Sequence, residues 1–444
     1  PVDVPTDQNF CMNGLVDCWR NPHPGCYEVR KCYEDIKIIR TPGCDKNDFS
    51  LFTIKNGYFF RDLDGVAVVC SLMENGIILE TKTITLGRDV PVPQAQSDGS
   101  IKIDLKNYRL DAISMLDPKP GAEYYLDFAF VVTKGSFFRC SSAMKKLGQK
   151  AEKTMVLTRE QFRLPIYTAG VPQELTGTKR SGFNQVLLPK PSLWRAPNDN
   201  DRGYSMGQRL GVWRHAIAES STKSVRDRDH DGNIYTETIY KPANVKAEII
   251  ERITSYQDGR RKVSLSIKKM PGTPDLPRFG THIMIPCESG DLRVEYYGRG
   301  PWENYWDRNT GFMVGRYSTT VNDMFVSYSE PGDFGYRTDV RWMDLTDENG
   351  EGFRVTALDA NGVKATSFEA ATFCFSVKRF LDRDLEAVEH NWMLPKRPFV
   401  VLNIDYRQQG VAGDNSWGAM PYPEFRLSDP TYRFEYMITP IKKQ

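Results

Sequence analysis

Residues 125–132 (YLDFAFVV) decide the fold class, because apolar side chains alternate along them with a period of two. Leu126, Phe128, Phe130 and Val132 lie on one face of such a segment, as in a half-buried β-strand. Residues 101–105 (IKIDL) alternate in the same way. About seven strands of this kind between residues 36 and 165 predict a β-sandwich of immunoglobulin-like size.

Two turn signals lie among these strands. Residues 50–60 (SLFTIKNGYFF) and residues 71–80 (SLMENGIILE) each contain the dipeptide Asn-Gly, which is typical of tight turns between strands. Further along, alternation returns in residues 262–269 (KVSLSIKK), 353–359 (FRVTALD) and 432–438 (YRFEYMI). Because no helical pattern interrupts the region from residue 171 onward, we expect one large β-sandwich there.

The N-terminal segment has a different pattern. An apolar stretch leads to Asn13-Gly14, a proline-rich turn follows, and residues 26–36 (CYEVRKCYEDI) carry apolar side chains at helical spacing up to Ile36. This predicts one strand, one loop and one short helix. So short a piece cannot bury its own apolar face. We therefore expect it to have packed against a part of the protein that precedes residue 1.

Composition excludes several classes of function. The chain has 444 residues, and its 59 basic and 57 acidic side chains nearly balance, so no nucleic-acid footprint is visible. No apolar run approaches the ~18 residues of a spanning helix, which predicts a soluble protein without a membrane partner. Nine cysteines without a Cys-x-x-Cys pair favour free thiols. The start, PVDVPTDQNF, has neither methionine nor signal peptide and suggests a processed chain or a fragment.

Metal-binding motifs are weak. His23 lies among Cys18, Cys26 and Cys32, but the spacings fit no zinc module. Residues 227–234 (DRDHDGNI) place Asp227, Asp229 and Asp231 as in the first half of a calcium loop. The twelfth position of that loop is Thr238 instead of a bidentate glutamate. A hairpin turn is the favoured interpretation, with calcium as the alternative.

Three polar or aromatic loops remain as candidates for function. Residues 196–203 (APNDNDRG) form either an Asx-rich turn or part of a site. Trp417 lies in a glycine-flanked loop, where its ring either stacks on a ligand or caps the end of the sandwich. Residues 293–319 combine arginines, glycines and aromatic rings more densely than an idle loop requires.

Taken together, these segments resemble the C-terminal part of the large bacterial β-galactosidases of glycoside hydrolase family 2. The resemblance rests on five signatures in the order of that family: NFCMNGLV with RNPHPGCYEVRKCYEDI (9–36), LWRAPNDNDRG (193–203), VEYYGRGPWENYWDRNTGFMVGRYS (294–318), YSEPGDFGYRTDVRW (328–342) and VLNIDYRQQGVAGDNSWG (401–418). It covers nearly the whole chain. Between residues 165 and 194 the chain is shorter than the family pattern and diverges from it.

The resemblance implies three domains. Residues 1–35 are the end of a (β/α)₈ glycosidase barrel, residues 36–168 an immunoglobulin-like sandwich, and residues 169–444 a large, galactose mutarotase-like sandwich known as the small-chain domain. The family retains the configuration of the anomeric carbon by means of two barrel glutamates. Neither glutamate's motif occurs in this sequence, so we expect no catalytic residue here and no activity from the chain alone.

The resemblance also implies substrate-binding residues. Phe10 and Asn13 match residues beside the galactose 6-hydroxyl, where a sodium ion binds a backbone carbonyl and an amide oxygen. Trp417 matches the tryptophan that stacks on the leaving-group sugar. Gly203 matches the centre of a mobile loop at the rim of the active site. The aromatic loop of residues 293–319 corresponds to a structural connection, in which Glu303 and the arginines satisfy backbone groups.

We therefore expect the C-terminal portion of a retaining β-galactosidase that hydrolyses terminal non-reducing β-D-galactosides. The alternatives are a small subunit that completes a heteromeric enzyme and a non-catalytic carbohydrate-binding or scaffold module. Expected partners are the galactoside and the N-terminal part of the same enzyme, which assembles as a homo-oligomer in the cytoplasm or periplasm. No cofactor is expected within this chain, whereas Na⁺ and Mg²⁺ belong to the full-length enzyme.

Overall fold

The computed structural model describes residues 14–110, 116–133, 155–168, 188–287, 292–358, 371–411, 413–415 and 418–442. The chain is mainly β, and its strands pair antiparallel in four sheets within the described ranges. It divides into two compact units, of which one comprises Pro1–Glu28 with Glu174–Gln444 and the other Val29–Gln173. The predicted mainly-β class is thus confirmed.

The smaller unit holds seven described strands in two sheets. They are β1 (Ile36–Arg40), β2 (Leu51–Asn56), β3 (Val66–Glu74), β4 (Ile77–Thr85), β5 (Ser97–Asp104), β6 (Tyr124–Val132) and β7 (Val156–Arg163). One sheet has the order β1-β2-β5 and the other β4-β3-β6-β7. Phe128, predicted to face the core, is fully buried and its ring lies 4.6 Å from that of Phe52 on the other sheet. Period-two alternation therefore gave the correct inner face.

The two Asn-Gly signals have different outcomes. Asn75 and Gly76 both have positive φ and join β3 to β4 in a hairpin, as predicted. The hairpin expectation for Asn56-Gly57 is wrong, because β2 pairs with β1 and β5 while β3 lies in the other sheet. The Asn56 side chain instead closes a wider loop, donating to the carbonyl oxygen of Arg61 at 2.8 Å.

The short helix α1 (Pro24–Cys32) confirms the helix predicted near the N-terminus. The helical spacing up to Ile36 extends too far, however. Ile36 begins β1, where it lies opposite Asn56 and is buried in the sandwich. The strand register overrides the helical pattern because it buries Ile36 and Ile38 on the same face.

The larger unit contains the remaining described strands. They are β8 (Lys190–Ser192), β9 (Ser220–Arg228), β10 (Ile234–Pro242), β11 (Ala247–Ser255), β12 (Arg261–Lys269), β13 (Arg278–Pro286), β14 (Arg293–Gly300), β15 (Met313–Thr320), β16 (Arg337–Val340), β17 (Trp342–Thr346), β18 (Glu351–Leu358), β19 (Phe373–Lys378), β20 (Phe399–Gln408) and β21 (Thr431–Lys442). The predicted strands at 262–269, 353–359 and 432–438 are thus β12, β18 and β21.

These strands form a nine-stranded sheet and a five-stranded sheet. The orders are β15-β14-β17-β18-β21-β12-β11-β10-β9 and β16-β19-β20-β13-β8. Residues of both sheets share one apolar core. The Thr281 and Tyr436 hydroxyls, from β13 and β21, are hydrogen-bonded across it at 2.7 Å. The described part of this unit is therefore one large sandwich, as expected for this region.

Among the described residues of the larger unit, four short helices connect strands: α2 (Asp199–Gly203), α3 (Met206–Arg209), α4 (Val321–Met324) and α5 (Asp382–Glu386). Short 3₁₀ turns follow at Leu105–Tyr108 in the smaller unit and at Gly211–Trp213, Asn391–Met393 and Pro423–Phe425 in the larger one. In the part of the chain that the structure describes, no helix is long and apolar enough to cross a membrane.

The calcium-like motif lies in the hairpin between β9 and β10, so the turn interpretation is confirmed. The Asp229 carboxylate accepts hydrogen bonds from the backbone N–H and the side-chain amide of Asn233, at 2.8 and 2.9 Å. Asp229 therefore serves the turn. Within the described ranges, no three His, Cys, Asp or Glu side chains are grouped so that they could hold a metal ion.

Candidate functional site

Helix α2 forms one side of the candidate site, and the polar stretch 196–203 builds its first turn. Asn198 is the N-cap: its side chain accepts from the backbone N–H of Asp201 at 3.0 Å, and the Asp201 carboxylate accepts from the Asn198 N–H at 3.0 Å. This reciprocal capping box satisfies two N–H groups that a helix start leaves open. The acidic cluster thus has a local structural cause, and it ends at Gly203.

A buried ion pair between α2 and the residue preceding its N-cap segment fixes the position of the helix. Arg195 and Asp201 are fully buried, and the guanidinium contacts both carboxylate oxygens, with Nη2 2.9 Å from Oδ1. Such a two-point pair defines orientation as well as position. Tyr204 donates its hydroxyl to the same carboxylate at 3.0 Å. Burial and the nearby Asp201 charge raise the pKa of Tyr204, so its hydroxyl remains a donor at all ordinary pH values.

The second side of the site is the segment that leaves β20. The Gln409 side chain donates to the Tyr204 hydroxyl at 2.7 Å, and Asn200 donates to the carbonyl oxygen of Val411 at 2.8 Å. A Cβ atom added to Gly418 would lie 3.7 Å from the carbonyl oxygen of Gly203. Two hydrogen bonds therefore hold α2 and the following Tyr204 against residues 409–411, and Gly418 lies near the end of the helix.

The base of the Trp417 loop is narrow. A Cβ atom on Gly413 would lie 2.9 Å from the Cβ atom of Ala419, so the chain approaches itself closely just before and after residues 414–418. Gly418 has φ +145°, a conformation that side chains with a Cβ atom rarely adopt. Glycine at these two positions is thus required by the loop itself.

Only some of the site residues that the sequence predicted are among the described residues. Phe10, Asn13 and Trp417 lie outside the described residues, so their predicted roles remain predictions. Gly203 is described, at the end of α2. The structure brings it beside Gly418, which directly follows Trp417 in the sequence.

The stretch 293–319 was expected to be one loop, but its ends are strands β14 and β15, and only residues 301–312 form the connection. This connection, called the aromatic loop from here on, has the structural role that the resemblance implied. Buried Glu303 accepts hydrogen bonds from the Gly335 backbone N–H at 2.7 Å, from the Tyr328 hydroxyl at 3.0 Å and from Arg308 at 2.8 Å. Arg299 donates to the carbonyl oxygen of Phe312 at 2.8 Å. These contacts satisfy backbone and charge inside a long connection.

Sequence reasoning missed a second buried charged cluster. Arg278, fully buried, contacts Asp333 and, at 3.1 Å, Asp405; Lys378 contacts Asp333 as well. Although burial raises the pKa of Asp333, Arg278 and Lys378 outweigh it and lower that pKa to about 2. Burial raises the pKa of Asp405 to about 7. The available signal was Asn403 and Asp405 within the mostly apolar run 400–405.

The two buried clusters meet at consecutive glutamines. Gln408 donates to Asp333 at 2.9 Å, whereas Gln409 donates to Tyr204. Both side chains are nine-tenths or more buried. The end of β20 is thus held on two sides immediately before the loop that carries Trp417.

Comparison with known proteins gives the family. Residues 169–438 match the family described as beta galactosidase small chain, and residues 52–165 match beta-galactosidase, domain 4. The first match covers more than half of the sequence. The chain therefore belongs to the beta-galactosidase small chain family.

Curated relatives named beta-galactosidase align over nearly the whole chain. The protein of Priestia megaterium is 27% identical over 99% of this chain, and that of Photobacterium profundum is 26% identical over 99%. The protein of Lactobacillus delbrueckii subsp. bulgaricus is 29% identical over 96%. The alignments cover 42%, 43% and 40% of those proteins, so the chain spans about two fifths of their length.

Proposed function

We propose that this chain is the C-terminal portion of a retaining β-galactosidase of glycoside hydrolase family 2, acting on terminal non-reducing β-D-galactosides. In this proposal the two catalytic glutamates lie in the part of the enzyme that this sequence lacks. The chain contributes substrate contacts and the sandwich that holds them in place. The domain bounds 1–35, 36–168 and 169–444 are part of the same proposal.

The meeting of Gly203 with Gly418 carries the proposal. The resemblance links both the Gly203 segment and the Trp417 loop to the rim of a sugar site, although more than two hundred residues separate them in sequence. Their close approach, in which a Cβ atom added to Gly418 would lie 3.7 Å from the Gly203 carbonyl oxygen, is what a shared rim requires, and the Tyr204–Gln409 hydrogen bond supports it. Two unrelated surface loops would have no reason to be held together by buried hydrogen bonds.

Each contact has a chemical task in the proposed enzyme. A tryptophan ring at position 417 offers a flat apolar face on which the leaving-group sugar stacks. The Asn13 amide oxygen and the Phe10 carbonyl oxygen are hard donors of the kind that Na⁺ prefers, beside the galactose 6-hydroxyl. In the barrel, one glutamate attacks the anomeric carbon while the other donates and then removes a proton.

The test uses the full-length enzyme with Trp417→Ala, compared with Asn13→Ala. If the assignment holds, each variant weakens binding of a different part of the substrate. Trp417→Ala weakens binding of the leaving-group sugar, and Asn13→Ala weakens binding of galactose. If neither variant changes the inhibition constant of galactose or of a disaccharide analogue, these residues do not line the sugar site.

The description of the matched family as a small chain favours a second candidate, a separate subunit that completes a heteromeric β-galactosidase. Under this alternative the chain binds a barrel-bearing subunit and activity appears on mixing. Size-exclusion chromatography of the chain with a separately expressed barrel subunit distinguishes the two arrangements, because only the second forms a complex from natural, separately encoded chains.

A further inference from the structure

Helix α1 is attached to the aromatic loop of the large sandwich through its Tyr27-Glu28 pair. The Tyr27 ring stacks on Trp302, with 5.4 Å between ring centroids and 8° between planes. The Glu28 carboxylate accepts two backbone hydrogen bonds, from Thr310 at 3.0 Å and from Gly311 at 2.8 Å. Residues 302–311, which provide both contacts, are called the α1 seat below.

Two glycines allow this close approach. A Cβ atom on Gly311 would lie 2.9 Å from the carbonyl oxygen of Tyr27 and 3.2 Å from the Cα atom of Glu28. The helix backbone therefore reaches the seat only because position 311 has no side chain. On the helix side, a Cβ atom on Gly25 would lie 3.1 Å from Nη1 of Arg308, which is tighter than most real contacts.

A second line of contacts connects the seat to the residue that follows Asn13. The His23 ring nitrogen Nδ1 lies 3.2 Å from the carbonyl oxygen of Gly14, and the same ring meets Tyr328 edge-on at 5.0 Å. Tyr328 in turn donates its hydroxyl to buried Glu303 at 3.0 Å. Gly14 is thus tied through His23 and Tyr328 to the same network that makes the seat rigid.

Hydrophobic burial does not explain this attachment. Of the residues of α1, only Pro24 is buried, and a nine-residue helix is marginal by itself. The specific contacts of Tyr27 and Glu28 therefore hold the first turn of the helix on the α1 seat, whereas Arg30 and Lys31, later in the helix, bind residues 156–160. A carboxylate that accepts two adjacent backbone N–H groups is a strong, geometrically defined anchor.

We propose that Glu28 is a positioning residue for the sugar site. It locks the first turn of α1 onto the α1 seat and, through His23, thereby fixes Gly14, which directly follows Asn13 in the sequence, on the sandwich that carries Gly203 and Gly418. The expected effect on substrate binding rests on the proposed function. The attachment of α1 to the α1 seat does not. This role would also explain why the aromatic loop contains so many aromatic and charged side chains.

The attachment is tested on the 444-residue chain by hydrogen exchange. Glu28→Gln replaces one accepting oxygen with an amide group that faces a backbone N–H, so amides of residues 25–32 should exchange on the order of tenfold faster. Gly311→Ala should do the same by steric exclusion. Glu348→Gln makes the same chemical change on an exposed hairpin residue and should leave these rates unchanged. Unchanged exchange in both test variants would overturn the attachment.

The positioning role is tested in the full-length enzyme. Glu28→Gln should raise the inhibition constant of galactose and the Na⁺ concentration for half-maximal activity, each by a factor of about three to ten. The ratio between the inhibition constants of galactose and of a disaccharide analogue should stay the same. Faster exchange of α1 together with an unchanged galactose constant would overturn positioning. If instead the proposed function is wrong, the result differs: Asn13→Ala would then leave galactose binding unaffected.

Discussion

The carbonyl oxygen of Gly203 lies 3.7 Å from the place that a Cβ atom on Gly418 would occupy. Gly203 ends a helix whose start is fixed by the Asn198–Asp201 capping box, and Gly418 closes the loop that contains Trp417. A side chain at position 418 would meet both an unfavourable φ and a nearby helix end. This relationship joins the two segments of the larger unit that the resemblance assigns to a sugar site.

Trp417→Ala in the full-length enzyme should weaken handling of the leaving-group sugar by about 1–3 kcal/mol, because one stacking face is lost. Galactose alone should be affected much less. The measurement is the pair of inhibition constants for galactose and for a disaccharide analogue. Equal losses for both ligands would show that the tryptophan has only a structural role.

Asn13→Ala should instead weaken binding of the galactosyl unit itself. The amide oxygen is proposed to act beside the galactose 6-hydroxyl, so galactose and the disaccharide should lose affinity by the same factor. Raising the Na⁺ concentration should partly restore the affinity if the amide helps to hold the ion. A disaccharide that loses more affinity than galactose would place Asn13 on the leaving-group side instead.

Asp201→Asn should destabilise the larger unit by about 3 kcal/mol or more, because it leaves Arg195 buried with an uncompensated charge. Asp199→Asn is the matched control: its side chain is 59% exposed and its contact to Arg202 is 3.6 Å long. An exposed pair of this kind contributes less than about 1 kcal/mol. Urea unfolding monitored by tryptophan fluorescence compares the two midpoints. Similar midpoints in both variants would contradict the assigned role of the buried pair.

Glu251 should make the larger unit less stable as the pH rises. Its side chain is buried, its closest described partner is the Tyr240 hydroxyl at 3.3 Å, and burial raises its pKa to about 7. The folded state thus keeps a proton that the unfolded state releases near pH 4.5. The stabilising contribution of the protonated carboxyl is complete below that pH and is lost as the pH rises through about 7.

Glu251→Gln should remove this dependence. At pH 8 the variant should be more stable than the parent chain by up to about 3 kcal/mol, and the difference should close toward pH 4.5. Glu248→Gln on the same strand is the control, since its side chain is 38% exposed and pairs with Lys241. Urea midpoints across pH 4.5–8 provide the comparison. A constant difference for Glu251→Gln would mean that the carboxyl is ionised in the folded chain.

The sequence predicts strands well where side chains alternate over a half-buried surface, as Phe128 and Phe130 show. It predicts connections less well. Asn56-Gly57 carries the same local signal as Asn75-Gly76, but the next strand joins the other sheet, and long-range pairing decides that choice.

The candidate site was predictable only as separate pieces. The glycine-flanked loop marked Trp417 and the family resemblance marked Gly203, but neither revealed the buried polar contacts between their segments. The Tyr204–Gln409 hydrogen bond joins residues far apart in sequence, and neither residue type signals burial by itself. Arg278 and Asp333 escaped notice for the same reason: a buried ion pair exists only once the fold has brought its two members together.

The central claim is that this chain carries substrate contacts of a β-galactosidase whose catalytic glutamates lie outside it. The most direct measurement is hydrolysis of a chromogenic β-galactoside by the purified 444-residue chain and by the longer polypeptide that contains it. We predict no turnover by the chain alone and turnover by the longer polypeptide, because the glutamates supply most of the rate enhancement. Turnover by the chain alone that persists after removal of contaminating enzyme, or an inactive longer polypeptide, would contradict the claim.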